Sequence, residues 1–226
     1  MQDTKDRLLD AAETLFADSG IAAASLRDIT ALAEANLAAV NYHFGGKDGL
    51  LQAVFDRRLL PVNRARLDLL DSFETAAAGA PLPLAQIVYA NLAPAFRSLD
   101  DWGEGGQRFM RLVARIMADP SSSIHHAFVR QFDEVRQRFL AAFGRALPNL
   151  EAAEIERRFH YTLAAMMHTF CWGPHIECLC PTPREHRDRV LSSLIDYAVG
   201  GLRSESGAAD LEDLRRRSAT IAGAVS

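Results

Sequence analysis

The densest group of metal-binding and redox-active side chains lies between residues 168 and 180. Its members are His168, Cys171, His175, Cys178 and Cys180. Imidazole and thiolate groups bind zinc, and paired thiols carry redox chemistry. The spacing matches no zinc signature, and three clustered cysteines make no disulfide framework. We therefore expect packing rather than a metal site or cofactor, with a metal- or thiol-sensing role as the open alternative.

A second segment, residues 25–47, carries side chains suited to contacts with nucleic acid. Asparagine pairs with two atoms of an adenine and lysine binds phosphate, and these residue types occur at Asn41 and Lys47. Ala38 and Ala39 are small enough to let a helix approach the base edges and touch thymine methyl groups. The segment therefore has the residue types for reading DNA.

Capping and apolar residues predict two short helices around these side chains. Ser25 is a good N-cap, and Asp28 three residues later completes a capping-box pattern. After a short turn, Asn36 can cap a second helix. Val40 and Phe44 fall on one face of that helix and are expected to anchor it in the core. Two short helices at this spacing form a helix-turn-helix, although any pair of helices meeting at a corner has the same pattern.

An amphipathic helix is predicted upstream at residues 5–19, ended by Gly20. With this helix, the chain resembles the N-terminal domain of the TetR family of transcriptional regulators over roughly residues 5–58. The matching residues are Ala11, Ala12, Leu15, Phe16, Gly20, Ser25, Leu26, Arg27, Asp28, Ile29, Val40, Tyr42, His43, Phe44, Lys47 and Leu50. The resemblance implies a DNA-binding regulator and not an enzyme.

The same resemblance implies an all-α architecture in two domains. A three-helix helix-turn-helix DNA-binding domain is expected at residues 1–60 and a helical ligand-binding and dimerisation domain at 61–203. Residues 204–226 are small and polar and predict a flexible or frayed tail. No segment alternates between apolar and polar residues over a useful length, so no sheet is predicted.

The resemblance also assigns residues to double-stranded operator DNA. The candidate contacts are Ser25, Arg27, Thr30, Asn36, Leu37, Ala38, Ala39, Asn41, Tyr42, His43 and Lys47. Two of them depart from the family pattern. Asn41 stands where tyrosine is usual, and it either pairs with an adenine or contacts phosphate. Leu37 stands where a polar base-reading residue is common. Leu37 is either a core residue or an apolar base contact, and Tyr42 and His43 either reach phosphates or pack the helix end.

The charge distribution predicts only modest non-specific affinity for DNA. The chain carries a formal net charge of −4, and its first 50 residues hold four basic against eight acidic side chains. A DNA-binding domain usually shows a basic surface. A helical protein-interaction module without DNA affinity is therefore kept as an alternative. No apolar run has the length of a membrane span and no signal-peptide pattern is present, so we expect a cytoplasmic protein without membrane contacts.

The remainder of the chain reads as helices separated by short loops. The predicted helices are 48–71, kinked or split at Pro61, 84–99, 107–118, 119–147, 151–172 and 184–202, with loops at 76–83 and 100–106. In TetR-family proteins the last two long helices form the dimer interface. We therefore expect a homodimer, with Met166 and Leu194 at the surface where the two copies pair.

Phenylalanine and methionine side chains predict an apolar pocket for a small molecule in the C-terminal domain. The candidate lining residues are Phe109, Arg111, Val113, Met117, Phe128, Phe132, Met166 and Phe170. Residues 36–45 and 109–113 further resemble a fatty-acid-responsive subgroup of the family exemplified by PsrA. The expected effector is a fatty acid or acyl-CoA that releases a repressor from DNA. Its head group would meet Arg111, Arg115, His125 or His168. The alternative is that these aromatic residues simply fill a bundle core.

Overall fold

The computed structural model describes residues 3–173, 176, 184–205, 212, 215 and 216. Every regular element in these ranges is an α-helix, which confirms the predicted all-α fold. The helices are α1 (Thr4–Ser19), α2 (Leu26–Leu32), α3 (Leu37–Phe44), α4 (Lys47–Ala76), α5 (Leu84–Trp102), α6 (Glu104–Met117), α7 (Ser123–Arg130), α8 (Asp133–Ala146), α9 (Ala152–Trp172) and α10 (Arg184–Arg203). Most of the predicted tail lies outside the described residues.

Helix α4 is continuous through Pro61, so the expected split there is wrong. Proline lacks the backbone N–H that would continue the helical hydrogen-bond ladder. Pro61 faces solvent, where water can bond the carbonyl that this leaves free. The helix runs for 30 residues, about 45 Å at 1.5 Å per residue. One rod therefore links the helix-turn-helix region to the C-terminal helices.

The loop predicted at residues 100–106 is wrong, because α5 and α6 are separated by Gly103 alone. Gly103 has a φ of 53° and makes the sharp turn between the two helices. A side chain on Gly106 would lie 3.2 Å from the Leu99 carbonyl oxygen and from Trp102 Cβ. The glycines of this segment thus serve close packing between two helices, whereas their clustering in the sequence indicated a loop.

The single helix predicted for residues 119–147 is also wrong, because it is divided into α7 and α8 at Gln131 and Phe132. The break frees the Gln131 carbonyl, which accepts a hydrogen bond from Asn63 Nδ2 of α4 at 2.8 Å. It also turns Phe132 towards the space between α4 and α9. Helices α9 and α10 begin and end within one residue of the predicted positions.

Two apolar cores lie side by side and meet along α4. The first joins α1, α2, α3, the start of α4 and α6, with Phe16, Phe55 and Phe109 fully buried. The second joins the rest of α4 with α5, α8, α9 and α10. Leu59 belongs to the first core and Val62 to the second. Because α6 packs into the first core, the helix-turn-helix is attached to the C-terminal helices through α6 as well as through α4.

Candidate DNA-binding surface and effector cavity

The helix-turn-helix is held by the two predicted caps. Ser25 Oγ accepts a hydrogen bond from the Asp28 backbone N–H at 3.1 Å and donates to Asp28 Oδ2 at 2.6 Å. Asn36 Oδ1 accepts from the Ala39 backbone N–H at 2.9 Å. Each cap satisfies a backbone donor that the first turn of a helix leaves free. Ile29 and Val40 are fully buried and fix α2 and α3 against α1 and α4.

One face of α3 carries most of the predicted DNA contacts in exposed positions. Its exposed residues are Leu37, Ala38, Asn41, Tyr42 and His43. Tyr42 is 85% exposed, and its ring meets the His43 ring edge-on at 5.0 Å. Leu37 is 45% exposed, which leaves the apolar-contact interpretation for this residue and excludes the core one.

Exposure separates the remaining predicted contacts. Arg27 and Asn36 are exposed beside this face, and Ala39 is half-buried. Thr30 is buried, and its hydroxyl donates to the Arg27 carbonyl oxygen at 3.0 Å, so it stabilises α2 from within. Lys47 lies at the first turn of α4, and its ammonium group is 3.3 Å from the Ala22 carbonyl oxygen. Phe44, expected as a core anchor, is only partly buried.

Three glycines set the angle between α3 and α4. Gly45 ends α3 with a φ of 72° and Gly46 follows with a φ of 132°, both in the region that disfavours side chains. A Cβ on Gly49 would lie 1.8 Å from the Phe44 carbonyl oxygen. The first turn of α4 therefore packs directly on the end of α3, and this contact fixes how α3 projects from the domain.

Two cavities lie among the C-terminal helices. The larger has a volume of about 380 Å³ and the smaller about 60 Å³. Phe128, Phe132 and Met166 line both of them. Of the other predicted ligand-binding residues, Met117 lines the larger cavity, and Phe109, Val113 and Phe170 line the smaller one.

Arg111 lies outside both cavities. It pairs with Asp18 of α1 at 3.1 Å, and both side chains are about half exposed. Arg115 donates to the Asp18 carbonyl oxygen at 3.0 Å. These two arginines join α6 to α1. Of the four predicted head-group partners, only His125 lines a cavity, and His168 is exposed.

A buried arginine, Arg66 on α4, lines both cavities and was missed by the sequence reasoning. It is 4% exposed. Its Nε donates to the Asn91 carbonyl oxygen at 2.8 Å, and its Nη1 donates to Asn63 Oδ1 at 3.0 Å. Burial lowers the pKa of Arg66 to about 10. The signal in the sequence was an arginine one turn after Val62, on the apolar face of a helix.

Comparison with known proteins places the chain in a family. Residues 89–201, half of its length, match the family described as tetracyclin repressor-like, C-terminal domain. Residues 8–54 match the description of bacterial regulatory proteins of the tetR family.

The chain belongs to the TetR family.

Curated relatives match a stretch of 49 residues, about a fifth of the chain. The HTH-type transcriptional repressor Rv3405c of Mycobacterium tuberculosis is 51% identical over 49 residues, which are 22% of this chain and 26% of that protein. The match thus spans about a quarter of that relative's length.

Solved structures share the fold over nearly the whole chain, among them one described as a TetR-family transcriptional regulator. SCO4454 of Streptomyces coelicolor is 21% identical, with a TM-score of 0.54, over 88% of this chain and 94% of that chain. Mycobacterium smegmatis AmtR is 16% identical, with a TM-score of 0.60, over 91% of this chain and 88% of that chain. At these identities the likeness shows the fold alone.

The cysteine and histidine cluster gains no support as a sensor. His175, Cys178 and Cys180 lie outside the described residues. Cys171 is half-buried, and burial raises the pKa of its thiol. Among the described residues, no group of three or more His, Cys, Asp or Glu side chains could hold a metal ion.

None of the described helices is long and apolar enough to cross a membrane.

The exposed aromatic residues of α9 and α10 define the candidate pairing face of a TetR-type dimer. Tyr161 is 63% exposed and Tyr197 71% exposed. Both border a surface groove of about 390 Å³ whose floor includes Gly200. Met166, expected on this face, is 5% exposed and lines both cavities instead, and Leu194 is buried. The expectation for these two residues is wrong, because the apolar side of α9 faces its own core.

Proposed function

We propose that this TetR-family chain is a transcriptional repressor that binds operator DNA as a homodimer. In this proposal α3 enters the major groove, with Asn41 reading a base and Lys47 contacting phosphate at the start of α4. The observation that carries it is the exposed α3 face, capped at Asn36 and fixed to α4 by Gly49. A two-fold dimer presents two such helices to half-sites about 34 Å apart.

The proposed signal is a hydrophobic small molecule, with an acyl chain as the leading class, bound in the larger cavity. Pockets for such ligands are mostly apolar with a few polar groups that orient the ligand, and the phenylalanine and methionine lining fits this description. Release of DNA requires that the ligand bind the DNA-incompetent state more tightly than the competent one. The path to α3 runs along a single helix, because Arg66 in the cavity wall and Lys47 both lie on α4.

Operator binding is tested with fragments selected from genomic DNA in gel-shift assays. Lys47→Ala should weaken binding to all sequences alike and reduce the salt dependence by about one unit of slope, as a lost phosphate contact does. Asn41→Ala should change the preferred sequence. The control is Arg64→Ala, which removes one exposed cation from the same helix about 25 Å from Lys47. Unchanged affinity and salt slope in Lys47→Ala would contradict the phosphate contact.

Release of DNA by the effector is tested by titrating fatty acids and acyl-CoA esters against a preformed complex of the protein with operator DNA. A hydrophobic ligand should release the DNA at concentrations at which it binds the free protein. Release by a polar compound or an oxidant, together with no response to acyl compounds, would contradict the acyl class and direct attention to the segment from His168 to Cys180.

A further inference from the structure

Arg66 is a buried cation that has no counter-charge in the part of the chain that the structure describes. Its contacts are the Asn91 carbonyl oxygen, Asn63 Oδ1, the Met166 sulfur at 3.9 Å and the face of Phe132 at 5.9 Å. All four partners are uncharged. Among the described residues, no carboxylate forms an ion pair with Arg66. Even with its pKa lowered to about 10, the guanidinium is protonated at neutral pH.

Two other poorly exposed arginines are neutralised by carboxylates. Arg58 pairs with Glu13 at 2.6 Å, and Arg158 pairs with Glu154 at 2.7 Å. A charge held away from water is costly unless it is paired. A carboxylate beside a buried arginine offsets this cost, as Glu13 and Glu154 do at these two sites. Arg66 lacks such a match among the described residues, and a bound ligand is a natural source of its counter-charge.

The surroundings of Arg66 contain two more unsatisfied polar atoms. Asn91 Oδ1 and His125 Nδ1 are buried and have no hydrogen-bond partner. Both residues line the larger cavity, as does Arg66. Unsatisfied buried polar atoms are rare in folded proteins and call for an explanation. The unpaired charge of Arg66 and the His125 Nδ1 atom, which can donate a hydrogen bond, are accounted for by a ligand with an anionic head and an apolar body.

The other charged groups of the larger cavity are paired or exposed, and so they are weaker candidates for binding an anionic head group. Arg136 lines the cavity, but Glu156 pairs with it. Asp133 and His160 line the cavity at exposed positions, where water screens their charge. The unscreened charge at the buried wall is therefore that of Arg66.

We infer that Arg66 binds the carboxylate of an amphiphilic organic acid whose apolar body lies between Phe128, Phe132 and Met166. The guanidinium would pair with one or both carboxylate oxygens, and His125 can donate a further hydrogen bond through Nδ1. This inference rests on the proposed function and narrows its ligand class. An acyl-CoA thioester carries no charge at its head, and its nucleotide phosphates require several cations and more room than about 380 Å³. A free carboxylic acid fits the cavity better.

The test compares ligands that differ only in the head group. Isothermal titration calorimetry of the full chain at pH 7.5 would measure binding of decanoate against 1-decanol. A second pair, 4-butylbenzoate and 4-butylbenzyl alcohol, separates aliphatic from aromatic acids. Wild type should bind at least one acid tenfold or more tightly than its alcohol, since a charge-assisted hydrogen bond contributes about that factor or more. Arg66→Met, which keeps an apolar side chain of similar length, should lose that preference while alcohol binding changes less than about threefold.

Arg136→Met is the matched control, because it removes the other arginine of the cavity, and it should keep the preference for the acid. Circular dichroism establishes that each variant is folded, and the wild-type comparison stands if Arg66→Met does not fold. Equal binding of acid and alcohol by wild type would overturn the inference. The proposal that the effector is a hydrophobic small molecule would still stand. A preference retained in Arg66→Met would also overturn it. Binding of none of the four probes would overturn it too, and the operator-release titration would then decide separately on the proposed function.

Discussion

The burial of Arg66 in the cavity wall could not be predicted from the sequence. Arg66 follows an apolar helical pattern, and its charge makes it look like a surface residue. Its burial depends on the broken turn at Gln131 and Phe132, which ties Asn63 to the end of α7 and brings Phe132 over the guanidinium. Ser25 and Asn36 were predictable as caps because capping depends on neighbours in the chain. Arg66 was not, because its environment depends on residues about 25 to 100 positions away.

Cys171 allows a residue-scale test of the thiol-sensing alternative. Burial raises the pKa of its thiol, so at pH 7 less of it is the reactive thiolate than for a free cysteine. Its alkylation by iodoacetamide at pH 7 should be slower than that of glutathione, and it should accelerate as the pH is raised and more of the thiol ionises. Peptide mass spectrometry resolves Cys171 from the other two cysteines. Faster labelling than glutathione at pH 7 would revive the thiol-sensing role.

At the scale of elements, a buried carboxylate clamps α1 to α4. Glu13 is 2% exposed and bonds Arg57 at 2.8 Å and Arg58 at 2.6 Å. The Arg58 guanidinium also lies 5.1 Å from the centre of the Trp102 ring at the end of α5. One carboxylate thus holds together the helix-turn-helix and the helices that border the cavities.

Glu13→Gln should reduce the free energy of unfolding by about 2–4 kcal/mol, because it leaves Arg58 without its counter-charge and Arg57 with only the exposed Asp10. Urea unfolding followed by circular dichroism gives this value. The matched control is Asp18→Asn, which breaks the half-exposed pair with Arg111 between α1 and α6 and should cost less than about 1 kcal/mol. Losses of equal size in the two variants would show that burial does not distinguish these ion pairs.

The sequence predicts the end of a helix correctly where a residue at that end stops the helix. It fails where contacts with other helices determine the end. Helices α9 and α10 end near their predicted positions because Gly173 and the start of the polar tail are local signals. The α5–α6 junction was missed because Gly106 serves contact with Leu99, and sequence alone does not distinguish a packing glycine from a loop glycine. The single helix expected at 119–147 was wrong because its interruption depends on α4.

For the whole molecule, the proposed pairing of α9 and α10 with their copies in a second chain would determine whether two recognition helices act together. Tyr161→Glu combined with Tyr197→Glu should give monomers in sedimentation equilibrium at micromolar concentration, because charges would be buried at the two-fold axis. Operator affinity should fall by at least about a hundredfold, as one half-site is lost. Tyr89→Glu, at an exposed tyrosine of α5, is the control and should leave both properties unchanged. A wild type that is monomeric at this concentration would contradict the proposed dimer.

The packing of α6 into the first core limits how this regulator can be recombined with others. Phe109, Leu112 and Ile116 of α6 are buried with residues of α1, so a fragment cut after residue 60 would expose the apolar side of α1 to water. Such a fragment should aggregate. A chimera that grafts these first helices onto another sensor would need a matching α6 surface, including a partner for Asp18. A working chimera should therefore transfer helices α1 to α4 together with the α6 surface against which they pack.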